Sequence, residues 1–470
     1  MEDFIGRKSE LDTLESLFSS RRFEFLLMHG RRRTGKTYIL THFAQKHPEN
    51  TVFFTADKSS QQINVHNFCE ELDRVLHAGE YLHTLTSWQQ VYSFLRDRDI
   101  SERLVIIIDE FTYLLNNDKS YDSQLQNAID RILKQKNIFL ILCGSEVSTI
   151  ENLFGDSRKP LYGRKTAELK LKPFTYLEAR SFFPSYSEED ALKTYAILGG
   201  IPYYLKLFDS AKPLKDNIIK HCFSPTGVLY NEPEALLRME LVEITFYQNI
   251  LLAIQAGSST LNEIATKIQS ESAKTSKYLH TLINLGFVQR ETPCGEKETR
   301  RNSLYMISDN YFAFYFSFIY RYRNMLNGLI SPDAFFQKMC TKDKMNHFIG
   351  HRFEGICTEY LKNQFYLGRM PFQAEYLGRW WGNNPVEKRQ EEIDILAIDQ
   401  ANALFCECKY TDQPFDNKEL DDLIASSHCV KRKNNYFCIF SRHGVTKSVA
   451  DRITADKRFI LVTIDDLYQI

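Results

Sequence analysis

The stretch "LLMHGRRRTGKTYIL" (residues 26–40) decides the fold of the first part of this chain. It begins as an apolar strand, passes through the pattern G-x-x-x-x-G-K-[ST] and opens a helix, which is the context of a phosphate-binding loop. The glycines let backbone N–H groups wrap a phosphate, and the helix N-terminus attracts negative charge. A chance glycine-rich turn is the alternative. We predict that nucleotide contacts come from Gly30, Arg31, Arg32, Arg33, Thr34, Gly35, Lys36, Thr37 and Tyr38.

The apolar character of this strand recurs along the first third of the chain. Like residues 23–30, the runs at 51–58, 103–111 and 138–146 are continuous and rich in β-branched and aromatic residues, which predicts buried parallel strands. Residues 167–174 alternate in polarity and end near a proline, so they predict a fifth strand at an edge. The stretches between the runs are long enough for helical crossovers. We therefore predict an α/β domain with the parallel sheet of a P-loop NTPase.

Four side chains, two in the loop and two after a later strand, indicate the chemistry of this site. Lys36 would reach the β and γ phosphates, and Thr37 would ligate Mg²⁺. Asp109 ends an apolar run, where an acid holds Mg²⁺ through water, and Glu110 comes next, where a base polarises the attacking water. Two solvated acids at a strand end are the alternative. Adjacent acids favour hydrolysis of the nucleotide over simple binding.

Two further residues extend the candidate site, each with an alternative. Ser145 falls at the tip of the next strand, where it would sense the γ-phosphate or position water, although a turn built on Gly144 and Ser145 explains it equally well. Arg164 precedes the edge strand and would neutralise developing charge as a catalytic residue, including across a subunit interface. The sequence favours the alternative, an exposed arginine in a salt bridge.

The rest of the chain divides by its pattern of helices and strands. After the predicted P-loop ATPase core the strands stop, and two helical patterns are broken by "GGIP" (199–202). A helix–turn–helix–hairpin pattern follows, and the last part alternates strands and helices again. We predict a core at 1–174, a helical lid at 175–237, a winged-helix domain at 238–320, a helical linker at 321–344 and a second α/β domain at 345–470.

The predicted winged helix carries a local basic patch in a chain whose formal net charge is -1. Thr260 and Glu263 predict a capping box for one helix, and Gly286 ends the next. A basic helix of this kind can enter a major groove of DNA, whereas a protein contact or a lid is the alternative. The patch consists of Lys274, Lys277, His280, Arg290, Lys297, Arg300 and Arg301.

The last α/β segment contains a second candidate site. Asp394 lies in one apolar run, and Glu407 and Lys409 lie two apart in the next, so the latter two share a strand face. Two carboxylates and a lysine on adjacent strands can bind Mg²⁺ through Asp394 and Glu407 and activate water for phosphodiester cleavage. Glu354, in an upstream helix, adds a third acid. An exposed hairpin face with a Glu–Lys pair is the alternative.

Several motifs in residues 1–235 together resemble archaeal-type ATPases related to the AAA+ and STAND classes. They are, in order, "FIGRKSELDTL", "HGRRRTGKTYIL", "IIIDEF", "CGS", "PLYGR", "LKPF" and "GGIPYYL". The resemblance implies ATP as the nucleotide and places Phe4, Ile5, Gly6 and Arg7 near its adenine. A helix start capped by Ser9 is an alternative that is compatible with this role.

The resemblance also bears on the three arginines and on the last segment. The family commonly has an arginine-rich loop, so Arg31–Arg33 are a family marker, and we expect them to pair with Asp109, Glu110 or an acid of a neighbouring domain. Glu354, Asp394, Glu407 and Lys409 resemble the E…D…ExK set of the restriction-endonuclease-like PD-(D/E)xK superfamily, with Ile393 in place of the proline. Many members of the ATPase family carry such a domain after a winged helix.

Composition limits the remaining classes of function. The neutral net charge leaves no global footprint for nucleic acid, and the 10 cysteines lack zinc spacing, which favours free thiols in the cytoplasm. We find neither a signal peptide nor an apolar run that could span a membrane. The leading hypothesis is an ATPase coupled to a nuclease-like domain acting on DNA, whereas a nucleotide-dependent homo-oligomer is expected of a STAND-type switch. A STAND-type signalling switch with an inert C-terminal module and a non-enzymatic DNA-binding regulator are the alternatives. Fold analogy alone suggests defence or mobile-element biology.

Overall fold

A computed structural model describes residues 4–297, 299, 302–384, 386 and 388–469. The chain divides into two compact units, Met1–Pro173 and Phe174–Ile470. The first unit is built on one parallel sheet, and the second combines a helical region, a two-stranded hairpin and a mixed sheet. Within the described ranges, no helix combines the length and the apolar character needed to cross a membrane.

Five parallel strands form the sheet of the first unit, in the order β2-β3-β4-β1-β5. The three central strands are buried along their whole length, as expected for a sheet with helices on both faces. This confirms the predicted parallel sheet of a P-loop NTPase. The strands are β1 (Glu24–His29), β2 (Thr51–Thr55), β3 (Leu104–Asp109), β4 (Ile138–Gly144) and β5 (Ala167–Lys170).

The helices of the first unit cover two separate cores, because alternate residues of each strand face opposite sides of the sheet. On β1, Phe25 and Leu27 join one core, and Leu26 and Met28 join the other. The helices are α1 (Lys8–Ser19), α2 (Lys36–Lys46), α3 (Gln61–Leu76), α4 (Glu80–His83), α5 (Trp88–Asp97), α6 (Thr112–Asn117), α7 (Tyr121–Arg131) and α8 (Val147–Gly155).

Two details at the margins of this unit test the sequence analysis. Strand β5 pairs with Leu26–His29 of β1 and lies at the edge of the sheet, which confirms the predicted fifth strand. The predicted cap at Ser9 is wrong, because α1 already begins at Lys8 and Ser9 lies inside it. The preceding turn is made by Gly6 and Arg7, whose φ angles of 71° and 60° are both left-handed.

The second unit begins with short helices. Gly200, in "GGIP", lies against Phe174, and a Cβ at this position would be 1.8 Å from the Phe174 carbonyl oxygen, so only glycine fits. The helices are α9 (Tyr176–Arg180), α10 (Glu188–Leu198), α11 (Pro202–Leu205), α12 (Leu214–Ile218), which continues as a π-helical turn, and α13 (Glu232–Glu240).

Three helices and a hairpin follow, in the order predicted for a winged helix. Thr260 caps α15 in a reciprocal capping box with Glu263, and Gly286, with φ of 71°, follows the end of α16. The elements are α14 (Ile244–Gln255), α15 (Leu261–Lys267), α16 (Ser272–Asn284), β6 (Val288–Glu291) and β7 (Leu304–Ile307), and the two strands are antiparallel.

Four more helices lead to a mixed five-stranded sheet of order β12-β11-β10-β9-β8. Strands β8, β9 and β10 are antiparallel neighbours, whereas β10, β11 and β12 are parallel. The elements are α17 (Asn310–Phe314), α18 (Arg323–Leu326), α19 (Pro332–Met339), α20 (Lys342–Tyr366), β8 (Tyr376–Asn383), β9 (Gln390–Ile398), β10 (Asn402–Lys409), α21 (Asn417–Ser426), β11 (Asn434–Ser441), α22 (Lys447–Thr454), β12 (Phe459–Thr463) and α23 (Ile464–Leu467).

The sequence analysis missed β8. Its pairing with β9 is irregular between Gly378 and Trp380, and that irregularity breaks the alternation that marks a strand in sequence. Helix α20 also begins at Lys342, three residues before the predicted domain boundary at 345.

Candidate functional sites

The phosphate-binding loop connects β1 to α2 and depends on its two glycines. Gly30 has φ of 152°, and a Cβ there would lie 2.4 Å from the carbonyl oxygen of Leu171. Gly35 has φ of 89° and directly precedes α2. Both positions therefore require glycine, one for close backbone approach and the other for its left-handed conformation. Arg33 adopts φ of 68° without being glycine, a conformation typical of strained functional loops.

Lys36 points across this loop. Its Nζ donates hydrogen bonds to the carbonyl oxygens of Gly30 at 2.8 Å and Arg31 at 2.9 Å, and the residue is only 6% exposed. Burial lowers the pKa of the Lys36 ammonium, because removing a charge from water disfavours it. A phosphate that entered the loop would offer this buried cation a negative partner.

Thr37 and Asp109 meet at the carboxyl edge of the sheet. Thr37 Oγ1 donates to Asp109 Oδ2 at 2.7 Å, and Asp109 is buried at the end of β3. The other carboxylate oxygen, Oδ1, accepts the backbone N–H of Glu110 at 3.0 Å. The two residues predicted as metal ligands are thus brought together, with a hydroxyl and a carboxylate that suit Mg²⁺.

Glu110 and Ser145 also meet, across β3 and β4. Ser145 Oγ donates to the Glu110 carboxylate at 2.9 and 3.0 Å, and Ser145 is buried. Glu110 has φ of 50°, an unusual conformation for a residue other than glycine. Ser145 therefore contacts the predicted base and fixes the orientation of its carboxylate. From the sequence, Ser145 could equally have been a sensor of the γ-phosphate or part of a turn.

The stretch before α1 holds the loop from outside. The Arg7 guanidinium donates to the carbonyl oxygens of Thr34 at 3.1 Å and Lys172 at 2.7 Å, and Arg7 is buried. Phe4 stacks on Tyr38 of α2 with ring centroids 5.3 Å apart. The sequence motif identified Arg7 as a site residue, but its bonds to the loop backbone depend on tertiary contacts that no local pattern predicts.

The three arginines of the loop are half-buried. Arg32 Nη2 donates to the hydroxyl of Tyr113, on α6, at 3.5 Å. The neighbouring acids Asp109 and Glu110 accept hydrogen bonds from Thr37 and Ser145, and the expected pairing of the arginines with an acid stays a prediction.

Arg164 lies near the amino ends of the strands, whereas the phosphate-binding loop lies at their carboxyl ends. Its guanidinium pairs with Asp130 at 2.8 Å and donates to the Pro160 carbonyl oxygen. Two residues later, Thr166 N donates to the carbonyl oxygen of Phe25 at the start of β1, whereas the phosphate-binding loop follows the end of that strand. About 15 Å of strand separates the two edges. This geometry matches the salt-bridge alternative, and the catalytic role of Arg164 stays a prediction.

The second candidate site lies on the β9–β10 hairpin. Cys406 is paired with Ile395, so the next residues, Glu407 and Asp394, face each other across the two strands. Asp394 Oδ2 accepts the Cys408 N–H at 2.8 Å. The predicted hairpin neighbours Asp394 and Glu407 are thus adjacent.

Lys409 lies beside these acids. Its Nζ is 3.0 Å from Glu407 Oε1 and 3.8 Å from Glu419 Oε1 on α21. The Lys409 side chain is 30% exposed and that of Glu407 is 27% exposed, so the pair is half-buried. The alternative interpretation had placed this pair on an exposed face of the hairpin.

Glu354 of α20 completes the set. Burial, and then the nearby Asp394 carboxylate, raise the pKa of Glu354 to about 8. Burial, and then Glu407, raise the pKa of Asp394 to about 7, against the hydrogen bond from Cys408 and the charge of Lys409. Crowded, partly buried acids of this kind favour the protonated form unless a cation joins them. Among the described residues, however, no three His, Cys, Asp or Glu side chains are already spaced as a metal-ligand set.

Arg379 of β8 is a neighbour that the sequence analysis missed together with its strand. It forms an ion pair with Glu392, and its charge lowers the pKa of Glu354. The sequence of this strand, "YLGRWWGN", shows an arginine but not that it lies near the acids.

The basic patch predicted within residues 238–320 is only partly a free surface. The Lys274 ammonium lies 4.6 Å from the centre of the Phe246 ring and 3.8 Å from Glu243. Lys277 and His280 are exposed on α16, and Arg290 donates to the Thr299 carbonyl oxygen. Lys297 is also exposed, whereas Arg300 and Arg301 lie outside the described residues.

Comparisons with known proteins agree with the first site. The profile of an "ATPase domain predominantly from Archaea" matches residues 4–208, and a profile described as "Archaea bacterial proteins of unknown function" matches residues 315–422. The Walker-type ATPase PABY2304 of Pyrococcus abyssi has a similar fold, with a TM-score of 0.51, 20% identity, and coverage of 67% of this chain and 96% of that one. Fold, loop and profile together define an archaeal-type P-loop ATPase.

Two proteins of Methanocaldococcus jannaschii are related in sequence. The uncharacterized protein MJECL04 is 32% identical over 413 residues, which cover 87% of this chain and 88% of that protein. The uncharacterized protein MJ0424 is 33% identical over 106 residues, covering 22% of this chain and 97% of that protein. The chain belongs to the same protein family as MJECL04.

Proposed function

We propose that the first unit binds ATP and hydrolyses it with Mg²⁺. The observation that carries this proposal is the 2.7 Å contact between Thr37 Oγ1 and Asp109 Oδ2, with Glu110 next in sequence. A hydroxyl and a buried carboxylate at this place are the groups through which P-loop NTPases hold Mg²⁺. When bound, the cation would neutralise charge that develops on the phosphates.

The residues of the chain divide the remaining work. Lys36 would exchange the carbonyl oxygens of Gly30 and Arg31 for phosphate oxygens, which are better partners for a buried cation. The N–H groups at the start of α2 would bind the same phosphates. Glu110, held by Ser145, would orient the attacking water and accept its proton. Phe4 and Tyr38 would lie near the adenine.

We propose that residues 345–470 form a nuclease-like domain that acts on DNA. The support is the assembly of Glu354, Asp394, Glu407 and Lys409 from one helix and two adjacent strands. A divalent cation held by Asp394 and Glu407 would lower the pKa of a bound water. Lys409 would stabilise negative charge on the phosphate, and Glu354 would complete the acidic surroundings of the cation.

A STAND-type switch with a non-catalytic C-terminal module is a second candidate. The observation in its favour is that no set of three metal-ligating side chains is ready-made in the described ranges. This function predicts nucleotide-dependent self-association, slow ATP turnover and no effect of Asp394→Ala. An arginine such as Arg164 would then act only across a contact between copies.

The remaining assignments are proposals of the same kind. We divide the second unit into a lid at 175–237, a winged helix at 238–320, a linker at 321–344 and the nuclease-like domain. Lys277 and His280 would contact DNA phosphates. The free thiols of all the cysteines suit a reducing cytoplasm.

A plasmid-nicking assay separates the two functions. Supercoiled DNA is incubated with the full chain and Mg²⁺ or Mn²⁺, with and without ATP. The nuclease proposal predicts nicking that Lys409→Ala abolishes and that Lys433→Ala, an exposed lysine before β11, leaves unchanged. ATP-stimulated nicking that is lost in Lys36→Ala would show coupling. Intact DNA under all conditions, with nucleotide-dependent self-association, would favour the switch.

A further inference from the structure

Arg442 follows β11 and is a largely buried cation of the second unit, with a side chain that is 9% exposed. Its Nη2 donates to Glu189 Oε1 of α10 at 2.6 Å. Its Nη1 donates to Asp412 Oδ1, in the loop after β10, at 2.8 Å and to Asn346 Oδ1 of α20 at 3.3 Å. One guanidinium therefore joins two helices to the end of a strand, a task for which its planar set of donors is suited.

The same guanidinium lies over the ring of Tyr410, with its central carbon 4.8 Å from the ring centroid. A cation over an aromatic face is attracted by the ring, and more strongly when both groups are shielded from water. Tyr410 is buried and directly follows Lys409. The Arg442 N–H also donates to the Lys409 carbonyl oxygen at 3.1 Å. Arg442 therefore fixes the end of β10, which carries Lys409 and, two residues earlier, Glu407.

Tyr410 carries this restraint to α20. Its ring packs against that of Phe353, with centroids 5.5 Å apart, and Phe353 directly precedes Glu354. About one turn earlier on α20, a Cβ added at Gly350 would lie 3.9 Å from the Tyr410 Cβ, so helix and strand end are in close contact. Arg442 thus restrains both elements of the second candidate site, β10 directly and α20 also through Tyr410.

The two acids that Arg442 contacts have other cations nearby. Lys193 Nζ is 2.7 Å from Glu189 Oε1, and Lys342 Nζ is 2.8 Å from Asp412 Oδ2. Replacing Arg442 with a neutral residue therefore leaves each acid a cation, and does not strand a buried charge. The main consequence of such a substitution is the loss of the connection between the helices and the strand end.

We propose that Arg442 is a positioning residue of the second candidate site and that it links α10 to this site, an inference that rests on the proposed nuclease function. It holds the end of β10 against α20 and so keeps Glu407 and Lys409 in place relative to Glu354. The required precision is high, since a misplacement of about 1 Å can cost on the order of 100-fold in rate. Through Glu189, a shift of α10 would loosen the site.

A double-mutant cycle tests this role. Arg442→Ala removes the cation, and Glu189→Gln weakens only its contact with α10. Arg458→Ala, which removes a more exposed ion pair with Asp456 before β12, is the matched control. Arg442→Lys keeps the charge but not the planar set of donors, and it replaces Arg442→Ala if that variant does not fold. Nicking of supercoiled plasmid by the full chain with Mn²⁺ is measured over a range of DNA concentrations, which separates turnover from KM.

We expect Arg442→Ala to lower turnover at saturating plasmid by about 10- to 100-fold with KM changed less than about threefold, and Arg458→Ala to match wild type. Glu189→Gln should cause a smaller loss. The double variant should be no slower than Arg442→Ala alone, because both substitutions break the same contact. Unchanged turnover in Arg442→Ala would overturn the positioning role while the nuclease function stands. Losses that multiply in the double variant, or an unaffected Glu189→Gln, would overturn the link to α10.

If no variant nicks DNA, the affinity of the site for Mn²⁺ decides. It is measured without nucleotide, and Asp394→Asn identifies the ion held by the acids. Affinity about tenfold weaker in Arg442→Ala and unchanged in Arg458→Ala would support the positioning role without cleavage. Equal affinities, or no ion that Asp394→Asn removes, would overturn the positioning role together with the nuclease function.

Discussion

The two candidate sites differ in how their charges are satisfied. In the nucleotide site, Lys36 is bonded to two carbonyl oxygens and Asp109 accepts from the Thr37 hydroxyl. In the carboxylate site, burial and mutual repulsion raise the pKa values of Glu354 and Asp394. The first site is assembled before its ligand arrives, whereas the second holds like charges close together.

This difference indicates which ligand each site needs. The nucleotide site presents a buried cation and N–H groups next to a hydroxyl–carboxylate pair, so it suits a ligand that carries an anion and a cation together, as Mg²⁺–ATP does. The carboxylate site has an excess of acids over Lys409, so a cation alone would relieve it.

The largest effect is expected at Glu110. Glu110→Gln keeps the shape of the side chain but removes its capacity to take a proton, so ATP turnover should fall by about 100-fold or more. ATP affinity should change little, since Lys36 and the loop remain. Turnover and nucleotide binding are measured on the same protein.

Lys36→Ala should lose both ATP binding and turnover, whereas Lys46→Ala, exposed at the other end of α2, should lose neither. Unchanged turnover in Glu110→Gln would mean that this acid is not the base.

The next effect concerns stability and pH at Glu354. Its pKa is raised from its ordinary value of 4.5 to about 8, so the folded chain holds a proton that the unfolded chain releases above pH 4.5. The free energy of unfolding should therefore fall as pH rises between these values. Glu354→Gln should remove much of this fall and stabilise the second unit at pH 8 by about 1–3 kcal/mol.

Thermal unfolding at pH 5 and pH 8 measures this change. Glu375→Gln, an exposed acid of the same unit, is the control and should leave the pH dependence as it is. Saturating Mg²⁺ should also reduce the fall in wild type, because a bound cation favours the ionised acids. Equal pH profiles for wild type and Glu354→Gln would remove the proposed contrast between the sites.

A smaller effect is expected for Arg32→Ala. The variable positions of a phosphate-binding loop face away from the phosphates, so the loss of Arg32 should lower ATP affinity by less than about tenfold. Isothermal titration with a non-hydrolysable ATP analogue gives the affinity. A loss as large as that of Lys36→Ala would place Arg32 on the phosphates instead.

The smallest effect is expected for Arg164→Ala. The pair with Asp130 is partly exposed and should contribute about 0.2–1 kcal/mol to stability, with ATP turnover unchanged. Turnover is compared at low and high protein concentration. A large loss that appears only at high concentration would show that Arg164 acts on the site of a neighbouring copy.

Local sequence patterns were sufficient to predict much of the fold and the residues of both candidate sites. The apolar runs before Gly30 and Asp109 predicted parallel strands, and parallel strands bring Thr37 and Asp109 to one edge. The spacing of Glu407 and Lys409 likewise fixed their common strand face. In each case a short-range period determines where the side chain points.

Long-range contacts account for what the sequence did not reveal. Arg7 bonds to the carbonyl oxygen of Lys172, 165 residues away, and Cys294 bonds to that of Leu396, 102 residues away. Strand β8 is irregular at Gly378 and is recognisable only through its pairing with β9. The motif gave the position of Arg164 in the sequence, whereas its ion pair with Asp130 depends on the fold.

Counting bound Mn²⁺ per chain tests the contrast between the two sites most directly. Without nucleotide, we predict one ion per wild-type chain, lost in Asp394→Asn and retained in Asp109→Asn. Addition of a non-hydrolysable ATP analogue should add a second ion, lost in Asp109→Asn and retained in Asp394→Asn. Absence of any nucleotide-independent ion, or an ion that Asp394→Asn does not remove, would contradict a cation site at the carboxylates.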